Sequence, residues 1–330
     1  MLKRRYKILL NYVISPVLFI ILAFTIYFKV KKQSSTQQAK DLIEQAFSQQ
    51  NKPYIILLVS LMLLNWAIEA RKWQILVRAA QRVSFFTAVK AVLSGLSFSL
   101  FVPNGIGDYF GRIVYMKEGN RLKSVALTIV GSIAQITVTF AAGLFGLIYL
   151  KTYAWKGTLE AQSFTGFWVD AMMYMIAMAT AVFIFIYYRL SWLTTLVEKI
   201  PFVYKYKFLI ESLENFHWKE LTRILLLSVT RYIVFILQYL LMLHIFNVQI
   251  YWFEAICTTS VLFLVLAILP TLPVADLGIR GETGLQLFGI LSKNSGGIVF
   301  TAAGIWFLNI IIPAVAGSLF VLSIKIFRNR

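Results

Sequence analysis

Residues 124–150 run without a single formal charge, and that stretch decides which solvent the chain folds in. A helix needs about 20 apolar residues to cross a bilayer's hydrocarbon core, whereas a water-facing helix interrupts such a run with a polar face. Five further blocks have the same character: residues 8–28, 54–68, 168–188, 221–246 and 298–324. Composition agrees, with 59% hydrophobic and only 14% charged residues, where soluble domains carry about 25% charged. The expected class is an all-α polytopic membrane protein, with residues 1–330 forming a single membrane domain.

A net charge of +18 in a soluble chain would suggest a nucleic-acid partner. Here the lysines and arginines sit at the ends of apolar blocks, where they set topology by holding loops in the cytoplasm. No nucleic acid is expected as a partner. The lone Cys257 excludes an internal disulfide, and His217 and His244 have no neighbours at metal-ligand spacing, so neither metal nor cofactor is expected. The block at 8–28 follows Lys3-Arg4-Arg5 but ends in Tyr27-Phe28-Lys29 rather than small residues. It reads as an uncleaved first span.

Two apolar runs, 85–102 and 252–269, are just long enough to cross, yet each ends in a proline and a loop containing glycine and charge. If both enter and leave on one side, 22 basic residues face the cytoplasm and 9 the outside, with Arg231 left inside a span. If both cross fully, the balance becomes 14 inside and 17 outside. The positive-inside rule selects the first arrangement. The expected topology is six full spans and two re-entrant helical hairpins, with both termini cytoplasmic. Ala39, Leu42, Ile43, Ala46 and Phe47 form one apolar stripe, predicting a short external helix lying on the membrane. Residues 190–218 read as a cytoplasmic surface elbow.

The two hairpins are counterparts. Each opens with two aromatic residues (Phe85-Phe86, Trp252-Phe253), carries an alanine at 88 or 255, and ends in Pro103 or Pro270. An acid and an arginine four residues apart then follow, Asp108 with Arg112 and Asp276 with Arg280, one helical turn and therefore one face. Because the first hairpin opens to the cytoplasm and the second outward, the halves form an inverted repeat. Repeat 1 spans about 53–150 and repeat 2 about 220–325, with a first span at 8–28 and a linking span at 168–189. Transporters built this way hold their substrate where the broken helices meet.

Irregular backbone at membrane depth persists only when buried in protein or facing a watery cavity. Asn104, Gly105 and Gly107 in the first break, and Gly278 in the second, let backbone donors approach a ligand. With Asp108, Arg112, Asp276 and Arg280 they make a candidate anion site. The same Asp/Arg spacing also suits a brace that only fastens each hairpin tip. Glu282 adds a carboxylate near the second tip. Arg231, about ten residues into its span, requires a partner or a cavity, and the expected partners are Asp276, Glu282 or a ligand phosphate. Glu69, Arg71, Lys72 and Trp73 read as a helix end anchored at the interface. Asn65, Gln135, Gln238 and Asn309 either line the cavity or tie helices together.

At Pro103-Asn104-Gly105-Ile106-Gly107-Asp108-Tyr109-Phe110-Gly111-Arg112 and Pro273-Val274-Ala275-Asp276-Leu277-Gly278-Ile279-Arg280-Gly281-Glu282 the chain resembles the lysylphosphatidylglycerol synthetase transmembrane region, a flippase-like family. The resemblance extends over roughly residues 10–325. It departs from the family pattern where paired glycines give way to Val274-Ala275-Asp276 and where Glu282 falls one place late. The resemblance implies binding or flipping of an anionic membrane lipid, either a phospholipid or a polyprenyl-linked precursor, in the bacterial cytoplasmic membrane. The aminoacyl-transfer domain of some members is not in this sequence, so an enzyme is not expected. Two other classes compete: an ion-coupled solute transporter using Asp108, Asp276 or Glu282, and an intramembrane transferase acting on a lipid carrier. No nucleophile–base pair supports the transferase.

Overall fold

The computed structural model describes residues 36–100, 106–154, 163–189, 216–269 and 273–323. Within them the chain is helical, without strands. The expected first span at 8–28, all but the last three residues of the elbow at 190–218, and the break residues Pro103, Asn104, Gly105 and Pro270 lie outside the described residues. Five helical stretches are long and apolar enough to cross a membrane: Gln49–Val77, Glu118–Ala154, Phe167–Tyr188, Trp218–Ile245 and Ser295–Val321. They correspond to the other five apolar blocks read from the sequence. The runs expected as hairpins form shorter apolar helices.

In chain order the helices are α1 (Thr36–Ala46), α2 (Lys52–Val77), α3 (Phe85–Ser99), α4 (Ile106–Ile113), α5 (Arg121–Tyr149), α6 (Ser163–Tyr188), α7 (Trp218–Ile245), α8 (Trp252–Ile268), α9 (Pro273–Phe288), α10 (Ser295–Trp306) and α11 (Ile312–Ser323). α1 buries Ala46 against the core and leaves Ile43 and Phe47 exposed, the face that the surface-helix expectation assigns to lipid. Starts follow local chemistry. Pro53 occupies the first turn of α2, where a missing N–H costs nothing. Ser84 caps α3 by accepting from Thr87 N–H at 3.2 Å, and Asn294 caps α10 by accepting from Gly297 N–H at 2.9 Å.

Each short-helix pair is tied together at one end. α4 runs antiparallel to α3, since Gly107 lies against the Phe98 carbonyl and Gly111 against Gly95. The base of this pair is tied by Lys117 N–H donating to Gln81 Oε1 at 3.0 Å. At the other pair, Asn294 Nδ2 donates to the carbonyls of Phe246 and Asn247, both at 3.1 Å, joining the residues before α8 to those after α9. A side-chain amide thus closes each base.

The packing between halves is reciprocal. α2 and α7, the spans preceding the two pairs, lie against each other; α3 packs on α11, and α8 packs on α5. Glycine permits the last two approaches: a side chain at Gly317 would collide with the Leu93 carbonyl, and one at Gly146 would come within 2.6 Å of the Cys257 carbonyl. Small residues at helix contacts are the usual solution inside a membrane, where van der Waals packing replaces the hydrophobic effect.

The final stretch is not a regular helix. Between α10 and α11 residues Phe307–Ile311 form a π turn, with Ile312 N–H bonding the Phe307 carbonyl five residues back. Pro313 explains its place, because proline has no N–H to offer the carbonyl of Asn309. Such turns recur at functional positions.

Candidate functional site

The centre of the molecule is assembled from α2, α4 and α7. On α2, Asn65, Glu69 and Lys72 recur at intervals of four and three, which places them on one face. On α4, Asp108 and Arg112 are a turn apart, as the sequence spacing predicts. The Arg112 guanidinium grips Asp108 with two bonds, Nε to Oδ1 at 2.8 Å and Nη2 to Oδ2 at 2.6 Å. The same Nη2 lies 3.0 Å from Glu69 Oε1. Glu69 Oε2 in turn meets Lys72 Nζ at 2.8 Å and Arg231 Nη1 at 3.0 Å.

Glu69 is therefore the hub, one carboxylate shared by three cations from three helices. The group is nearly dry, with side-chain exposures of 9% for Glu69, 3% for Lys72 and 5% for Arg112. Three cations face two carboxylates there, an excess of one positive charge. Removing a partner from such a buried pair is expensive, about 3–5 kcal/mol, because a charge is left uncompensated away from water.

Arg231 extends the group sideways. Its Nε donates to Asn65 Oδ1 at 2.7 Å, its guanidinium lies 5.1 Å from the centre of the Phe235 ring, and Asn65 Nδ2 reaches Asn309 Oδ1 at 3.5 Å. Two cavities meet at this residue. The first, about 240 Å³, is bounded by Glu69, Lys72, Asp108 and Arg112. The second, about 350 Å³, is bounded by Arg280 and otherwise mostly by apolar side chains such as Phe263, Leu266 and Trp306. Arg231, Gln135, Asn309, Leu96 and Phe235 form walls of both. Among the described residues Gln135 Oε1 is buried without a hydrogen-bond partner, an acceptor left open at that shared wall. Asn309 belongs to the π turn, which places this irregular backbone at the junction.

Several sequence expectations change here. Arg231 does not pair with Asp276 or Glu282; its partners are Asn65 and Glu69. Packing α7 along α2 decides this, turning Arg231 toward the α2 face. Glu69, Lys72 and Trp73 are not an interfacial anchor. Trp73 is fully buried and donates from Nε1 to Thr128 Oγ1 at 3.1 Å, while only Arg71 of that group is exposed. The available signal was the continuation of the helix to Val77, which leaves Glu69 about 12 Å inside the helix end at 1.5 Å per residue. Gly107 serves close packing on Phe98.

The second Asp/Arg pair forms as the spacing predicts, Arg280 Nε donating to Asp276 Oδ2 at 2.6 Å, with Asp276 buried. Gly278 and Glu282 are exposed, and a side chain at Gly278 would meet nothing within 4 Å. The structure thus brings Arg112, Arg231 and Arg280 to two adjoining cavities, with Asp108 among the walls of the first. Glu282 and Gly278 line neither, and Gln238 is fully buried away from both.

Compared with known protein families, residues 8–317 match the model described as Lysylphosphatidylglycerol synthase TM region. No curated protein matches the chain.

Proposed function

Since this multi-pass helical membrane protein belongs to the lysylphosphatidylglycerol synthase transmembrane-region family, we propose that it binds an anionic lipid at the meeting of its two cavities and carries the head group between leaflets. The observation that carries this reading is the position of Arg231. It stands in the wall common to a charged cavity holding Arg112 and a largely apolar one holding Arg280. A phosphate at that junction would exchange the Glu69 carboxylate for its own oxygens on Arg231 and Arg112, since guanidinium groups accept either anion in the same forked geometry. The apolar walls suit the glyceryl or prenyl portion attached to it, which a small polar solute does not possess. Asp108 and Asp276 hold Arg112 and Arg280 in place rather than meeting the lipid.

The amide-closed bases of the two helix pairs and the reciprocal α3–α11 and α5–α8 packing support reading them as re-entrant hairpins of an inverted repeat, residues 53–150 and 220–325. On that reading six spans cross the bacterial cytoplasmic membrane with both termini inside, and the rocking of one repeat against the other exposes the junction alternately. Transport rather than catalysis is proposed, because the matched region is the family's membrane part and, among the described residues, the cavity walls show no hydrogen-bonded nucleophile–base pair.

The test is flipping of fluorescent phosphatidylglycerol in liposomes, read by quenching of the outer leaflet. Wild type is expected to expose inner-leaflet label and Arg231→Gln to do so at least tenfold more slowly, with phosphatidylcholine a poor substrate for both. Equal rates for wild type and variant, in protein that remains monodisperse, refute the assignment.

A further inference from the structure

A second charged depression lies where the C-terminal end of α2 meets the N-terminal end of α7, outside both central cavities. It has a volume of about 290 Å³ and is bounded by Arg71, Gln74, Arg78, Arg82, Glu220 and Arg223. Four guanidinium groups thus share one groove with a single carboxylate. At the central site the structure supplies each cation with a carboxylate. Here Arg78, Arg82 and Arg223 have no ion pair among the described residues. Like charges gathered without counter-ions repel one another, and an anion in the groove removes that cost.

Topology alone asks only that basic residues lie somewhere on this side of the membrane. It does not ask four of them to converge from two segments distant in sequence, the end of α2 with the turn after it and the start of α7. Part of the wall is also held in shape. Arg71 Nη1 donates to Gln74 Oε1 at 2.6 Å, and Gln74 Nε2 donates to the Val83 carbonyl at 2.9 Å. The depth of the groove is marked by large exposed aromatics at the adjoining helix starts, Phe85 and Phe86 on α3 and Trp218 on α7. Of these, tryptophan is the residue that settles at the level of lipid head groups.

We propose that this groove is a binding site for the phosphate of an anionic phospholipid in the adjacent leaflet, gripped by Arg78, Arg82 and Arg223. Arg71 stays engaged with Gln74, and Glu220 weakens the hold, keeping the lipid exchangeable. The site stands whether or not the protein transports lipid, because none of its residues borders the central cavities. Guanidinium groups favour the two free oxygens of a phosphodiester, and a zwitterionic lipid brings its own cation into an already positive groove.

The experiment is native mass spectrometry of the full chain in detergent, titrated with phosphatidylglycerol or phosphatidylcholine. Wild type is expected to bind a phosphatidylglycerol that the R78Q/R82Q/R223Q variant binds at least tenfold more weakly, and the same difference is expected on an Arg231→Gln background, where the central cavities no longer compete for the lipid. All three side chains are exposed, so the triple variant keeps its packing, which size-exclusion chromatography checks. Glu220→Gln is expected to tighten binding severalfold. Unchanged phosphatidylglycerol affinity in the triple variant, equal affinity for phosphatidylcholine, or weaker binding by Glu220→Gln would overturn the proposal. Displacement of the lipid by an equal concentration of inorganic phosphate would overturn the lipid assignment in favour of a soluble anion.

Discussion

Replacing Glu69 by Gln tests the central site from two directions at once. The substitution keeps the volume and removes the charge, so Lys72, Arg112 and Arg231 would face Asp108 alone, and the excess of one positive charge becomes two. Their exposures of 3%, 5% and 20% leave little water to screen the change. Breaking one buried pair costs about 3–5 kcal/mol, and the Gln amide oxygen returns part of this as about 1.5–3 kcal/mol per hydrogen bond to a charged group. A net loss of about 2 kcal/mol of stability is the expected result in neutral detergent. Anionic lipid should then rescue the variant more than it stabilises wild type, because the internal competitor for Arg231 and Arg112 is gone. A ligand at a hundred times its Kd adds about 2.7 kcal/mol to the folded state, enough to reverse the defect. The assay is thermal unfolding by tryptophan fluorescence, with and without phosphatidylglycerol. A variant that melts with wild type in neutral detergent, or one that gains no more from the lipid than wild type does, refutes the hub role.

Other consequences follow from the packing and the proposed topology. A side chain at Gly111 would strike the Gly95 backbone, so Gly111→Val should force α4 away from α3 at an overpacking cost of about 1–3 kcal/mol or more, read as a lowered melting temperature. Lys117→Cys should resist a membrane-impermeant maleimide in intact cells while Lys293→Cys reacts; the resident Cys257 is buried and gives little background. The opposite pattern refutes the orientation. Pro313→Ala restores an N–H facing the Asn309 carbonyl and should straighten the π turn, slowing lipid flipping severalfold while leaving stability unchanged or raised.

Legibility of the sequence divided along a physical line. The long helices were readable because an apolar block of sufficient length has one use in a bilayer, and the described blocks became helices near their expected limits, except that the helix over 54–68 runs on to Val77. The Asp108–Arg112 and Asp276–Arg280 pairs were readable because an i,i+4 spacing closes within one helix and needs no knowledge of neighbours. Glu69 was not. Its role depends on which helix lies opposite, and Arg231 reaches it across about half the sequence. A charged pair two turns from a helix end looks the same whether that end meets head groups or a buried arginine. The π turn at Phe307–Ile311 had a visible cause in Pro313, but the consequence, Asn309 at the junction of two cavities, came from packing.

The contrast between the two cationic sites bears on how a lipid could be held and then released. Arginine and lysine at the centre of a spanning helix each cost about 2.5–3.5 kcal/mol on insertion, so three bare cations at membrane depth would be a heavy burden before any ligand arrived. Glu69 offsets much of that cost in the empty protein. It also makes binding an exchange: the lipid phosphate gains guanidinium contacts only as the carboxylate loses them. The net affinity is then a difference between two similar interactions, which suits a carrier that must let go on the other side. The arginine groove at the membrane surface sets only Glu220 against four arginines, so most of its positive charge is left for the lipid, with solvent and salt screening the remainder. On this view Glu69 is what distinguishes a site built for passage from one built for retention. Its removal should therefore strengthen lipid binding and slow lipid release in the same protein.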